Sequence, residues 1–278
     1  MKTFALCFFL ILSGLYGFAQ KNKREESREI GVFGGVSYYV GDLNPYKHFA
    51  EPHFAGGILY RKNFNKRVTL RLSATYGKVT GADSLSTNLT QNARNLSFQS
   101  RIIEIGPTIE LNFVKYRPGE LYNESATMFL IFGLTYFNMN PQGERNGEMY
   151  DLQTLGTEGQ GSSLSDRKEY SLNQIAIPLG IGFRGNIGKH FCFSLEYGIR
   201  KTFTDYLDDV SGKYVDPTAL AAANGQLASY FSNQSTGDRS SQTGTYRGNP
   251  NNKDWYAFAG LSLTWAIVNR STCRNYLD

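Results

Sequence analysis

Cysteine is scarce in this chain, with three residues in 278. Cys7 falls within the leader, which leaves Cys192 and Cys273, enough for one bond and too few for a disulfide framework. Long apolar runs are missing as well. After residue 19 no stretch carries the run of apolar residues a transmembrane helix needs, so a helical membrane span is excluded. Charge of one sign is not in excess, since 29 Lys and Arg against 24 Asp and Glu leave a formal +5. No dense Lys/Arg run exists, which argues against nucleic acid as a partner. The recognisable motifs of chemistry are absent too: there is no Gly-rich phosphate loop, no nucleophile elbow and no zinc-protease signature. His48 and His53 with Glu51 share one loop, a weak arrangement for a metal that needs several rigidly held ligands. Asp205, Asp208 and Asp209 lack the spacing and glycine of a calcium loop and read as a solvated loop entrance. Neither a cofactor nor a catalytic group is expected.

What is present begins with an export leader. Met1-Lys2-Thr3 is positive, Phe4 to Leu12 is apolar, and Gly17-Phe18-Ala19 forms a cleavage site that leaves Gln20 first. Cys7 comes too early for a lipoprotein signal. Residues 1–19 therefore read as a signal peptide and 20–278 as one exported domain of about 259 residues (278 less 19).

Within that domain the periodicity is two. From Trp255, one face carries Trp255, Ala257, Ala259, Leu261, Leu263 and Trp265, with Tyr256, Phe258, Gly260, Ser262 and Thr264 opposite. Ten residues at about 3.3 Å, tilted by about 45°, span roughly 23 Å, the height of the apolar band of an outer-membrane barrel. Trp255 and Trp265 then sit at its two interfaces as girdle residues. Similar alternation runs through residues 68–76, 103–113, 175–183 and 191–199, and less sharply through 30–40, 54–64 and 127–137. That makes eight strands, roughly 29–267, with a periplasmic tail at 268–278. Pro107 and Pro178 interrupt two of them and mark candidate bulges. Short and long connections alternate, so both chain ends lie on the periplasmic side and the long loops outside the cell. Rich in Ser, Asn, Gly and Gln, those loops read as mobile.

Two barrels share this pattern: a membrane barrel with its apolar face outward, and a soluble carrier with that face inward. The bulky, aromatic-ended apolar face favours lipid. The polar face is small and carries both signs of charge: Arg71, Arg184 and Arg200 with Glu104, Glu110 and Glu196. Inside a narrow barrel these charges pair and plug the lumen. The reading is thus all-β: an eight-stranded antiparallel up-and-down transmembrane β-barrel with long extracellular loops, in contact with outer-membrane lipid.

The opening strand reads Gly34-Gly35-Val36-Ser37-Tyr38-Tyr39-Val40-Gly41-Asp42-Leu43-Asn44-Pro45. Its Tyr-Tyr-x-Gly-Asp-x-Asn-Pro element (Tyr38, Tyr39, Gly41, Asp42, Asn44, Pro45) resembles the start of the PorG family of Bacteroidota outer-membrane barrels. Ile175 to Phe183, with Pro178 inside it, resembles a second strand of that family. The resemblance implies a component of the type IX secretion and gliding machinery that contacts a periplasmic ring lipoprotein and its partner. The alternative is a surface adhesin or structural barrel acting through its outer loops.

Overall fold

The computed structural model describes residues 26–268 except 236. The expected leader at 1–19 and the expected periplasmic tail at 268–278 with Cys273 fall outside that range, apart from residue 268. Ten strands form one antiparallel sheet: β1 (Ser27–Val40), β2 (His53–Asn63), β3 (Val68–Ala82), β4 (Ser97–Asn112), β5 (Ala126–Gly133), β6 (Thr135–Arg145), β7 (Glu148–Asp151), β8 (Asn173–Asn186), β9 (Phe191–Thr202) and β10 (Trp255–Val268). Consecutive strands pair, except β5 with β6 and β7 with β8, and β1 also pairs with β10, so the sheet closes on itself. No described helix is long and apolar enough to cross a membrane.

The barrel wall has eight members. β5 and β6 are two halves of one of them, joined to β4 on one side and β8 on the other. β7 is a short hairpin partner standing above the wall on β6. The division of that wall strand has a cause in both neighbours. Thr108 pairs with Gly133 and Ile105 with Tyr136, which sets Pro107 beside Leu134. Leu179 pairs with Phe132 and Ala176 with Thr135, which sets Pro178 beside Gly133. Each proline removes a ladder donor, and both do so at the same point. The register runs unbroken past both, so the expected bulges do not form.

Side-chain direction decides between the two barrels. Ile30, Val32, Ile58, Leu72, Ile103, Ile105, Leu130, Phe132, Leu195, Leu261 and Leu263 are exposed on the outer wall. Glu29, Arg61, Thr69, Arg71, Glu110, Arg184, Ser194 and Thr264 are buried inside it. An apolar belt around a polar lumen is the arrangement of a transmembrane barrel, in which closure also satisfies every backbone group of the wall.

The long loops depart from expectation. They are not independent mobile segments but fold together into a cap over the barrel mouth. It contains α1 (Leu89–Arg94), α2 (Leu152–Leu155), α3 (Pro217–Asn224) and α4 (Gln226–Ser232). Local sequence explains α3: Asp216 caps it by accepting from the Ala219 amide at 2.8 Å, Pro217 takes the first turn, three alanines follow, and Gly225 ends it. One apolar core runs from the upper lumen (Phe33, Ala55, Val79, Phe98, Phe137) into the cap (Leu152, Tyr170, Leu207, Val210, Phe231). Scattered Leu, Val and Phe among polar residues supply that core, and composition alone hides them.

Candidate functional site

Two constellations stand out, one in the lumen and one at its outer mouth.

In the lumen, Arg71 meets Glu196 through two bonds of 2.6 and 2.9 Å. Arg184 lies 2.8 Å from Glu110, and Arg200 lies 3.2 Å from Glu104. Tyr256 also donates to Glu104 at 2.6 Å. The six charges singled out from the sequence are thus brought together in pairs. Two members escaped that reading. Arg61 bonds Glu110 at 3.1 Å and lies 3.7 Å from Glu29. Glu29 also accepts from Asn63 at 2.8 Å and Thr264 at 2.7 Å. The signal was there, since period two continued from Asn63 to Arg61 and from Gly31 to Glu29 points both inward. The weaker alternation of these two strands, interrupted by glycines, obscured it. Four arginines (61, 71, 184, 200) now face four glutamates (29, 104, 110, 196), a formal sum of zero. Arg71, Glu104, Glu196 and Arg200 line a cavity of about 10 Å³, room for about one water.

At the mouth, the Tyr-Tyr element divides between the two faces of β1. Tyr39 points inward. Its hydroxyl donates to Asp208, lies 3.2 Å from Asp254, and accepts from the Leu43 amide at 3.4 Å. Gly41 passes so close that a Cβ there would sit 2.1 Å from the Tyr39 hydroxyl and 2.2 Å from Asp254. Asn44 bonds the carbonyls of Tyr39 and Lys47, both at 2.8 Å. Asp42 accepts from the Asn249 amide at 2.8 Å, and its carbonyl receives Gln91 at 2.9 Å and Arg94 at 3.1 Å. Pro45 is exposed just past this turn. The motif therefore ties the first loop to the second and the last. Tyr38 points outward and is nonetheless buried, because the first loop folds back along the outer wall. Phe49 packs 4.8 Å from its ring, and its hydroxyl meets Tyr197 at 2.7 Å and His48 at 3.0 Å. Gly34 faces open space and Gly35 meets the backbone of β10.

The acidic group opening the last loop is not solvated. Asp205, Asp208 and Asp209 are all buried. The two neighbours of the Tyr39 hydroxyl, Asp208 and Asp254, hold their protons well above the usual carboxylate range, through burial first and neighbouring carboxylates second. Burial likewise pushes Asp205 up to about 7 and Asp209 to about 6. Glu158 anchors the third loop to the last by accepting from the amides of Ser211 at 2.9 Å and Gly212 at 2.8 Å, with Arg247 at 3.2 Å. His53 and Glu51 both meet the Thr80 hydroxyl, at 2.8 and 3.1 Å. Among the described residues no group of three or more His, Cys, Asp or Glu is arranged to hold a metal. Cys192 is a buried free thiol.

Trp255 and Trp265, expected as girdle residues, lie towards opposite ends of β10. Trp255, half-buried, carries the Lys201 ammonium 5.6 Å from its ring. Trp265 stacks on His190 at 5.2 Å near the short turn.

An outward apolar belt, a polar lumen of paired charges and a loop cap on one end define a transmembrane β-barrel of the outer-membrane type. The chain belongs to the family described as a domain of unknown function, DUF6089, which matches residues 6–230. No curated protein matches the sequence. Among solved structures it is similar to Ail, the attachment invasion locus protein of Yersinia pestis (10% identity, 87% of this chain, 99% of Ail, TM-score 0.40). It is also similar to Neisserial surface protein A (9% identity, 86% and 96% covered, TM-score 0.42) and to OprG from Pseudomonas aeruginosa (9%, 88% and 97%, 0.40). These are outer-membrane barrels, and the likeness adds nothing to the fold already evident in this chain's own strands.

Proposed function

We propose that this protein is a non-conducting, non-catalytic scaffold of the outer membrane. The observation that carries the reading is the lumen: eight buried charges in balance, paired across the barrel, four of which line a cavity with room for about one water. A channel needs a continuous wet path, and an eight-stranded barrel filled by its own side chains has none. Purified protein in planar bilayers is expected to give no steady conductance, and open-channel currents of porin size would refute this.

The resemblance of the opening element to the PorG family supports a finer role, as a component of type IX secretion that contacts the periplasmic ring lipoprotein and its partner. The periplasmic turns offer a joined surface for such a contact. Tyr116 bonds Asn186 at 2.7 Å, and Asn186 donates to the carbonyls of Arg117 at 2.9 Å and Glu120 at 2.6 Å. Leu121, Tyr122 and Ile187 are exposed on that surface. The test is deletion of the gene and comparison of the secreted proteins with the parent. Cargo missing from the medium and trapped in the periplasm, restored by the wild-type gene and not by Tyr122→Ala with Ile187→Ser, is the expected result. Normal secretion by the deletion strain would remove the finer role and leave the scaffold.

The folded cap favours a second reading, a surface adhesin or structural barrel acting outward. Loops fixed to one another present a defined surface to the exterior, as a binding face requires. Exchange of residues 217–243 for a short linker, with the latch at Asp208 and Asp254 kept, would then abolish surface binding while secretion continued.

A further inference from the structure

Inside the barrel every arginine has its glutamate. The outer wall holds an exception. Lys78 on β3 and Arg101 on β4 are direct cross-strand partners. Both belong to the outward face, which reads Tyr76, Lys78, Thr80 along β3 and Ile103, Arg101, Gln99 along β4. Like charges directly opposite one another destabilise an antiparallel pair. Neither cation is in any of the ion pairs found among the described residues, and the charged neighbour of Lys78 there is His53, whose protonation burial and Lys78 both oppose. The two carboxylates at the margins bond neutral groups and form no ion pair with either cation: Glu51 accepts from Thr80 at 3.1 Å, and Asp151 accepts from Asn140 at 2.9 Å and Gln142 at 2.7 Å.

Height on the wall identifies what can neutralise the pair. Directly below them the outward face is apolar, with Tyr76, Leu72, Ile103 and Ile105 exposed. Lys78 and Arg101 form the first polar row above that belt, on the side of the cap. Asn140 pairs with Arg101 on the next strand. Continuing the Ala55–Gly77 register sets exposed Phe54 beside Lys78 on the other flank. Two cations between an amide and an aromatic ring, just above an apolar wall, suit an anion tethered to acyl chains. Guanidinium takes a phosphate through two parallel hydrogen bonds, and ammonium adds a compact charge.

We propose that Lys78 and Arg101 form an outward-facing clamp for the phosphate of a phosphorylated glycolipid in the outer leaflet, with Phe54, Tyr76 and Ile103 against the lipid body. The inference rests on the outer-membrane reading above. Depth selects lipid over free phosphate, because the apolar row beneath the clamp holds acyl chains and gives a soluble anion nothing.

The test uses the full protein in detergent micelles and, as probes, bis-phosphorylated lipid A and the same lipid stripped of its phosphates. The phosphorylated form is expected to bind about tenfold or more tightly than the stripped one, as charge-assisted hydrogen bonds require. The double variant Lys78→Gln/Arg101→Gln should fall to the level of the stripped lipid, and Lys201→Gln, an outward cation elsewhere on the rim, should bind as wild type. Removing the like-charge pair relieves repulsion, so without lipid the double variant should unfold at the same temperature as wild type or higher. Equal binding of both lipids, or wild-type affinity in the double variant, would overturn the clamp. Reconstitution into vesicles separates the two readings. Protein that inserts and still ignores phosphate loses only the clamp, whereas protein that does not insert loses the barrel assignment and the clamp with it.

Discussion

Glu110 is the hinge of the lumen network and the most informative residue to change. It lies 3.1 Å from Arg61, 2.8 Å from Arg184 and 3.6 Å from Arg71, with no solvent exposure. Removing its charge leaves four arginines against three glutamates, a lumen of +1 in place of zero. Breaking a buried ion pair by removing one partner costs about 3–5 kcal/mol, because the remaining charge stays buried and uncompensated. Glu110→Gln keeps the volume and loses only the charge, so a loss of that size isolates electrostatics from packing. Glu110→Gln with Arg184→Met restores neutrality and should recover more than about 1 kcal/mol, as coupled neighbours do. The assay is urea unfolding in phospholipid vesicles, followed by the fluorescence of Trp255 and Trp265 and by gel mobility. Added salt should not change the loss, since the pairs are shielded from bulk ions. A Glu110→Gln barrel within about 0.5 kcal/mol of wild type, the range of a neutral surface change, would refute the claim that charge balance holds the lumen closed.

Three further outcomes follow from named contacts. A Cβ at Gly35 would lie 2.1 Å from the Ala259 carbonyl, whereas one at Gly34 meets nothing within 4 Å; Gly35→Ala should cost about 1–3 kcal/mol and Gly34→Ala almost nothing in the same unfolding assay. Tyr39→Phe removes the hydroxyl that Asp208 and Asp254 share, so residues 203–254 should become protease-sensitive on intact cells while the barrel keeps its heat-modified gel mobility. The carboxyls of Asp205 and Asp209 titrate near 7 and 6 when folded, against an ordinary value of 3.8. The folded cap therefore binds protons more tightly than the unfolded chain. Their contribution to stability is complete below about pH 4 and is lost as pH rises through 6 and 7. Hydrogen exchange in the cap should quicken from pH 5 to 8 beyond the intrinsic rate increase, and Asp205→Asn should flatten that trend.

The alternation along β4, β8, β9 and β10 was legible because lipid outside and a packed polar lumen inside impose a strict period of two. Arg71, Glu104, Glu110, Arg184, Glu196 and Arg200 could be assigned to one face from parity alone. Parity says nothing about partners. That Arg61 joins Glu29 to Glu110 depends on how far β2 is shifted against its neighbours around the closed wall, a quantity no single strand encodes. The two prolines illustrate the same limit. Each was visible, but only the register sets Pro107 and Pro178 against adjacent residues of one strand, dividing it without a bulge.

The cap was hidden for a different reason. Loop sequences carry no period, so Leu207, Val210 and Phe231 read as isolated apolar residues and Asp205, Asp208 and Asp209 as solvated ones. Their burial arises because four loops converge on one barrel mouth and shield one another. By itself the sequence determined a closed strand barrel and which face meets lipid, since both follow from side-chain alternation and local turn chemistry. The tertiary structure alone decided the pairing of the lumen charges, the latch at Tyr39 and the meeting of Lys78 with Arg101. Each of these depends on residues distant in the chain arriving at one place, which register and closure fix and composition does not.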